Sequence, residues 1–181
     1  MADVQKVYLD SCCFIDMVKT KVGRKLANDR EVDVWTLKRL LEANRDGEIH
    51  CFTSTLSIAE CSHDGDGKVT DDVKSEFNRL LMSGQYIRLV QMTPFIAQDA
   101  RDLRWTHNFN VKGADGIHVA SALAMKCDEF LSSNGKLERL LKSKTAFAKL
   151  GLAVKRGKDT GCLPAKYRQL ELENGKTGKA H

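Results

Sequence analysis

Five short runs rich in β-branched and aromatic residues, KVYLD, HCFTS, IRLVQM, EFLSS and LAVK, are spread along the chain with longer stretches between them. Val, Ile, Phe, Tyr and Thr suit a pleated surface, so each run is expected to be a strand. The intervening sequence is helical in pattern over Cys12–Lys19, Asp33–Asn44, Leu56–Ser62, Asp71–Met82, Pro94–His107, Asp115–Lys126 and Leu137–Leu141. Leu37, Leu40 and Leu41 recur at helical spacing, as do Val119, Ala120, Leu123 and Ala124. RDG at Arg45–Gly47 and MSG at Met82–Gly84 are helix stops. Alternation of this kind predicts an α/β fold with a mostly parallel sheet, helices on both faces and right-handed crossovers.

A chain of 181 residues, 42% hydrophobic and 29% charged, has the composition of one globular domain and not of a disordered or fibrous chain. No apolar run approaches the roughly 20 residues of a membrane span, and MADVQKVYLD lacks the pattern of a secretory leader. A cytoplasmic location with no membrane contact is the expectation. The six cysteines include no C-x-x-C pair, which argues against a zinc framework and for buried thiols acting as small hydrophobes. From Lys155 onward seven Lys/Arg face three Asp/Glu, leaving the remainder close to neutral. We therefore expect a domain over residues 1–155 followed by a basic, partly disordered extension over 156–181. Such a tail is compatible with a polyanionic partner.

Three carboxylates fall where a strand hands over to a helix. Asp10 ends the first strand, Glu60 lies about a turn into the helix after HCFTS, and Asp115 opens ADGIHVASALAMK. After the fourth strand the corresponding place holds Asn134. In a parallel sheet these positions share the edge at which ligands bind, and an oxygen-rich set there suits Mg²⁺ or Mn²⁺. Each acid also has a structural alternative. Asp10 can cap the helix that starts near Ser11, and Ser57-Ile58-Ala59-Glu60 matches a capping box. Asp115 can serve the helix dipole. His118, three residues after Asp115, is read as packing behind the acids, Asp16 as a solvated helix residue, and Asp128 as lying at the wrong end of the sheet.

YLDSCCFID, TSTLSIAEC and GADGIHVASALAMKCDEFLSSNGKL resemble, in order, the motifs of the PIN-domain nucleases, most closely the VapC-type toxin ribonucleases. The likeness covers roughly Lys6 to Lys155. It implies a three-layer α/β/α sandwich with catalytic and metal-binding acids at Asp10, Glu60 and Asp115, and with Ser11 as the small hydroxyl that follows the first acid. It also implies divalent-metal-dependent hydrolysis of RNA phosphodiesters, a homodimer, and an antitoxin protein covering the site. One position departs from the family pattern. The fourth strand usually ends in T-N-D, and here it reads Ser132-Ser133-Asn134, so the fourth metal ligand would be a neutral amide. The alternative is a PIN domain that has lost catalysis and binds nucleic acid or protein.

GDGK at Gly65–Lys68 lacks the spacer of a phosphate-binding loop. Counted from Asp64, a calcium loop would need Glu where Ser75 stands.

Overall fold

The computed structural model describes residues 4–26, 29–64, 69–111, 113–135, 137 and 149–168. The strands are β1 Lys6–Leu9, β2 His50–Ser54, β3 Arg88–Val90, β4 Glu129–Leu131 and β5 Ala153–Lys155. All five lie within the runs read as strands. They form one sheet in the order β3-β2-β1-β4-β5, and every pairing is parallel. Tyr8 is level with Phe52 on one side and Phe130 on the other. The chain moves outward from β1 through β2 and β3, then crosses to the opposite side of β1 for β4. That reversal places the ligand-binding crevice of an open α/β sheet beside the tip of β1.

The described helices are α1 Ser11–Lys21, α2 Arg30–Arg45, α3 Leu56–Glu60, α4 Asp71–Leu81, α5 Pro94–Trp105, α6 Ala114–Ala124 and α7 Ala165–Arg168. Their starts follow from side-chain capping. Thr70 accepts from the Val73 N–H at the head of α4, and Thr93 accepts from the Ile96 N–H ahead of Pro94 in α5. α2 stops at Arg45 and the chain turns through Gly47 at φ 78°, as RDG predicts. The helix expected over Leu137–Leu141 lies, apart from Leu137, outside the described residues.

The two-residue period of the strands separates two cores. Val7, Leu9, Cys51 and Leu131 pack with Phe14, Val34, Leu37, Leu40 and Leu80 from α1, α2 and α4. Tyr8, Phe52, Phe130 and Val154 pack with Ile96, Leu103, Val119 and Ala122 from α5 and α6. Tyr8 stacks on Phe130 at 5.2 Å between ring centroids. This is the three-layer α/β/α sandwich expected from the alternation. Each fully buried aliphatic side chain contributes about 2 kcal/mol by leaving water, and both cores are continuous across the sheet.

The segment after β5 folds back over α2. Arg156 Nε donates to Asp33 Oδ2 at 3.0 Å, its Nη2 also reaches Asp33, and the Lys158 N–H donates to Asp33 Oδ1 at 2.8 Å. A Cβ at Gly157 would stand 3.0 Å from the Asp33 carbonyl oxygen, so this close approach needs glycine. Cys162 and Leu163 join the first core, and the Tyr167 hydroxyl donates to Asp46 at 2.6 Å.

Candidate active site

β1 is buried on both faces, and the residue after it, Asp10, is 4% exposed. A carboxylate so placed needs donors. Asp10 Oδ1 accepts from the Ser11 N–H at 2.8 Å, which makes Asp10 the N-cap of α1. Oδ2 accepts from the Ser132 hydroxyl at 2.7 Å and from the Cys12 thiol at 3.2 Å. Ser132 is there because Leu9 pairs with Leu131, so the residues following the two strands are side by side. The carboxylate that follows β1 is therefore also the cap of α1.

Glu60 is the last residue of α3, and the capping-box reading of it does not hold. The N-cap is Thr55, without a side-chain hydrogen bond. Ser57 lies inside the helix with its hydroxyl 2.6 Å from Thr53 Oγ1, which itself donates to the Leu9 carbonyl. Glu60 instead turns toward α6, where its Oε2 is 2.6 Å from His118 Nε2.

His118 is 1% exposed. Its Nδ1 is 2.8 Å from the Tyr8 hydroxyl, and its Nε2 is 3.8 Å from Asp10 Oδ1. Burial, with Asp10 nearby, pushes the Tyr8 phenol far above its ordinary value, so the phenol stays neutral and keeps its proton. A Tyr8 O–H donating to Nδ1 leaves Nε2–H to donate to Glu60, which fixes the tautomer. The His118 hydrogen bond holds the Glu60 carboxyl below the usual carboxylate range, against the effect of its partial burial. Glu60 is thus ionised at neutral pH. His118 is buried between Tyr8 and Glu60, and its hydrogen bond fixes the direction of the Glu60 carboxylate.

Asp115 is the second residue of α6, one turn ahead of His118, and it is half-buried. α6 starts from Gly113 at φ 59°, ψ −134°, a backbone conformation that favours glycine. Asn134 follows β4 and donates its backbone N–H to Ser132 Oγ at 3.0 Å, so a single hydroxyl links it to Asp10. Asp128, at the start of β4, accepts from the Lys6 N–H at the opposite end of the sheet, as expected.

Asp16 corrects the sequence reading. It is 3% exposed and not solvated. Arg30 Nη1 lies 3.1 and 3.2 Å from its two oxygens, and the Ser133 hydroxyl donates to it at 2.9 Å. Arg30 also donates to the Ser133 carbonyl, tying α1, α2 and the end of β4 together. The sequence reading also missed Tyr8, Cys12 and Ser132 as neighbours of the acids. Strand alternation points Tyr8 toward the α6 face, but nothing in the sequence names His118 as its partner. The other five cysteines are buried free thiols, whereas Cys12 is half-buried against Asp10.

The donor chemistry fits a hard divalent cation: Asp10, Glu60 and Asp115 offer carboxylate oxygens, and Asn134 an amide oxygen. Among the described residues no three His, Cys, Asp or Glu side chains are gathered into a group that could hold a metal ion. Mg²⁺ does not require such a cage, because it keeps several waters and binds through one or two carboxylates together with substrate phosphate.

In an open parallel sheet ligands bind outside the carboxyl ends of the strands, and Asp10 lies at that edge. The family model of the PIN domain matches residues 7–142, and the chain belongs to that family, whose members are generally nucleases that need metal ions. No curated protein matches the chain. Among the described residues no helix is long and apolar enough to cross a membrane.

Proposed function

We propose that this protein is a divalent-metal-dependent endoribonuclease acting as the toxin of a toxin–antitoxin pair. The observation that supports it most is the buried His118, which hydrogen-bonds Glu60 and lies 3.8 Å from Asp10, so that acids from two different strand–helix junctions face one side chain. A carboxylate on a surface helix gains little from a buried histidine that fixes its direction. A carboxylate that must meet a ligand at a set angle gains a great deal. In this reading Asp10, Glu60 and Asp115 line the edge at which Mg²⁺ or Mn²⁺ binds, one or two of them reaching the ion at a time, with Asn134 or water completing the set. Bound there, the metal would polarise the phosphodiester and lower the pKa of the attacking water.

The chain's own residues do the positioning. Ser11 N–H and Ser132 hold Asp10 in place, and His118, backed by Tyr8, fixes the direction of Glu60. The basic C-terminal segment supplies electrostatic attraction for RNA. A homodimer and an antitoxin partner belong to this proposal through the family likeness.

The test is a thermal melt and an RNA cleavage assay run over the same Mn²⁺ titration. Mn²⁺ should raise the melting temperature and switch on cleavage in the same concentration range, and Glu60→Gln should lose both responses. RNA bound but never cut, with no effect of Mn²⁺ on the melt, would identify a PIN domain used only for binding.

A further inference from the structure

The α5–α6 connection carries a second kind of chemistry. Over Arg101–Gly113 the sequence RDLRWTHNFNVKG interleaves Trp105, His107 and Phe109 with Arg101, Arg104 and Lys112, against the single acid Asp102. Trp105, the last residue of α5, is 71% exposed. The Arg101 guanidinium lies over its indole at 4.3 Å from the ring centroid, a cation–π contact that stiffens the ring. Arg104 is held by the Asn110 amide oxygen at 3.2 Å, and among the described residues it makes no ion pair with a carboxylate. Arg101, Arg104 and Trp105 line a groove of about 360 Å³ together with Ala97, Ala100 and Ile117. Gly113, also in its lining, is the N-cap of α6, two residues from Asp115.

An Arg–Trp pair one turn apart is by itself an ordinary helix-surface contact. Here it stands over an open apolar groove, has a second cation beside it, and continues into the turn that bears a site acid. We infer that this groove is a stacking subsite for an unpaired base of single-stranded RNA. The Trp105 ring is the platform, and Arg104, with Arg101 shared between the ring and Asp102 at 3.2 Å, attracts the flanking phosphates. A second copy of the chain fits less well, because a twofold contact here would set the two arginines of one copy against those of the other. Duplex RNA fits less well too, since its bases are already stacked and face inward. The inference rests on the proposed ribonuclease reading and gives its substrate a strand path.

The test uses the full chain carrying Trp35→Phe, which leaves Trp105 as the sole tryptophan. A short unstructured oligoribonucleotide is titrated in EDTA, and again with Ca²⁺, while Trp105 fluorescence and oligonucleotide anisotropy are followed. Saturable quenching is expected with the single strand and not with its duplex. On the native background Trp105→Ala should weaken single-strand binding about 10-fold, within the range for one stacked base, and Trp105→Phe should keep most of the affinity. Melts should match the parent, since the side chain is exposed. Binding by the parent that Trp105→Ala leaves within about twofold would overturn the subsite while leaving the ribonuclease reading intact. No single-strand binding by the parent in either buffer would overturn the RNA reading and the subsite with it. Quenching that tracks protein concentration without RNA would assign the groove to self-association.

Discussion

Two sets of carboxylates in this molecule are neutralised in different ways. Asp33 and Glu129 meet full cations. Arg156 grips Asp33, and Lys155 Nζ reaches Glu129 at 2.5 Å, where the Thr160 hydroxyl and Gly161 N–H also donate. Burial alone would raise the Glu129 pKa, but those three donors outweigh it and hold the carboxyl low. Among the described residues Asp10 and Glu60 meet neutral or weakly basic donors: a backbone N–H, two serine hydroxyls, a thiol and His118. Among the described residues no Lys or Arg pairs with either of them. The first set closes its own charge and locks the chain after β5 onto α2. The second leaves negative potential unspent at the sheet edge, where an incoming cation can use it. Asp16 falls between them, at the site's border but matched by Arg30.

This contrast can be broken from either side. The largest effect is expected for Asp10→Asn, which keeps the size and the capping oxygen but removes the charge. Cleavage should fall by roughly 10³-fold, about 4 kcal/mol of barrier, while the metal-free melting temperature stays level or rises. Near-normal turnover would end the assignment. Arg156→Met should do the reverse. It strands the buried Asp33 and should cost about 3 kcal/mol of stability in urea unfolding, with the Mn²⁺ dependence of cleavage unchanged. A shift in that dependence would show that the clasp and the site are coupled.

His118→Phe should lower cleavage by roughly 30-fold, the loss of one hydrogen bond to a charged group. His118→Gln, which restores a donor near Glu60, should recover part of it. Equal activity of the two variants would reduce His118 to packing. Asn134→Asp should tighten Mn²⁺ binding by about 10-fold if the gain is of order 1.4 kcal/mol, and should lower the melting temperature without metal. Effects of the same sign would place Asn134 outside the metal set.

The smallest effect should come from the exposed rim of the clasp. Hydrogen bonds from Arg156 and Lys158 lower the Asp29 pKa to about 2. A depressed carboxyl contributes stability above its unfolded value near 4, and that contribution disappears as pH falls toward 2. Asp29→Asn should therefore reduce stability slightly at neutral pH and flatten the acid limb of the melting curve. An acid limb identical to the parent's would show that the pair contributes nothing in solution.

Legibility in the sequence followed the range of the interaction. Strand composition and helix stops are set by near neighbours, and the composition located all five strands. EFLSS was read two residues too long, because Ser132 continues the ladder through its N–H while its hydroxyl turns to Asp10. Asp10 stood out because a strand ending in a charge is locally odd. Glu60 was ambiguous because S-x-x-E is a local pattern, whereas the bond from Ser57 to Thr53 that defeats it depends on how β2 enters the helix. Asp16 was misread because its partners come from α2 and from the end of β4, which no local window contains.

The double duty of Asp10 also bears on how such a chain can drift. If the proposed ribonuclease function holds, a lineage that no longer needed to cut RNA would be free to lose the negative charge at this position, but not the oxygen that receives the first amide of α1. Alanine there would expose the helix start, at a cost of about 1 kcal/mol, and would leave Ser132 and Cys12 facing a hole. Asparagine and serine would be the easy exits. An inactive descendant of this protein should therefore be recognisable by a neutral cap at position 10, under a fold as well formed as its ancestor's.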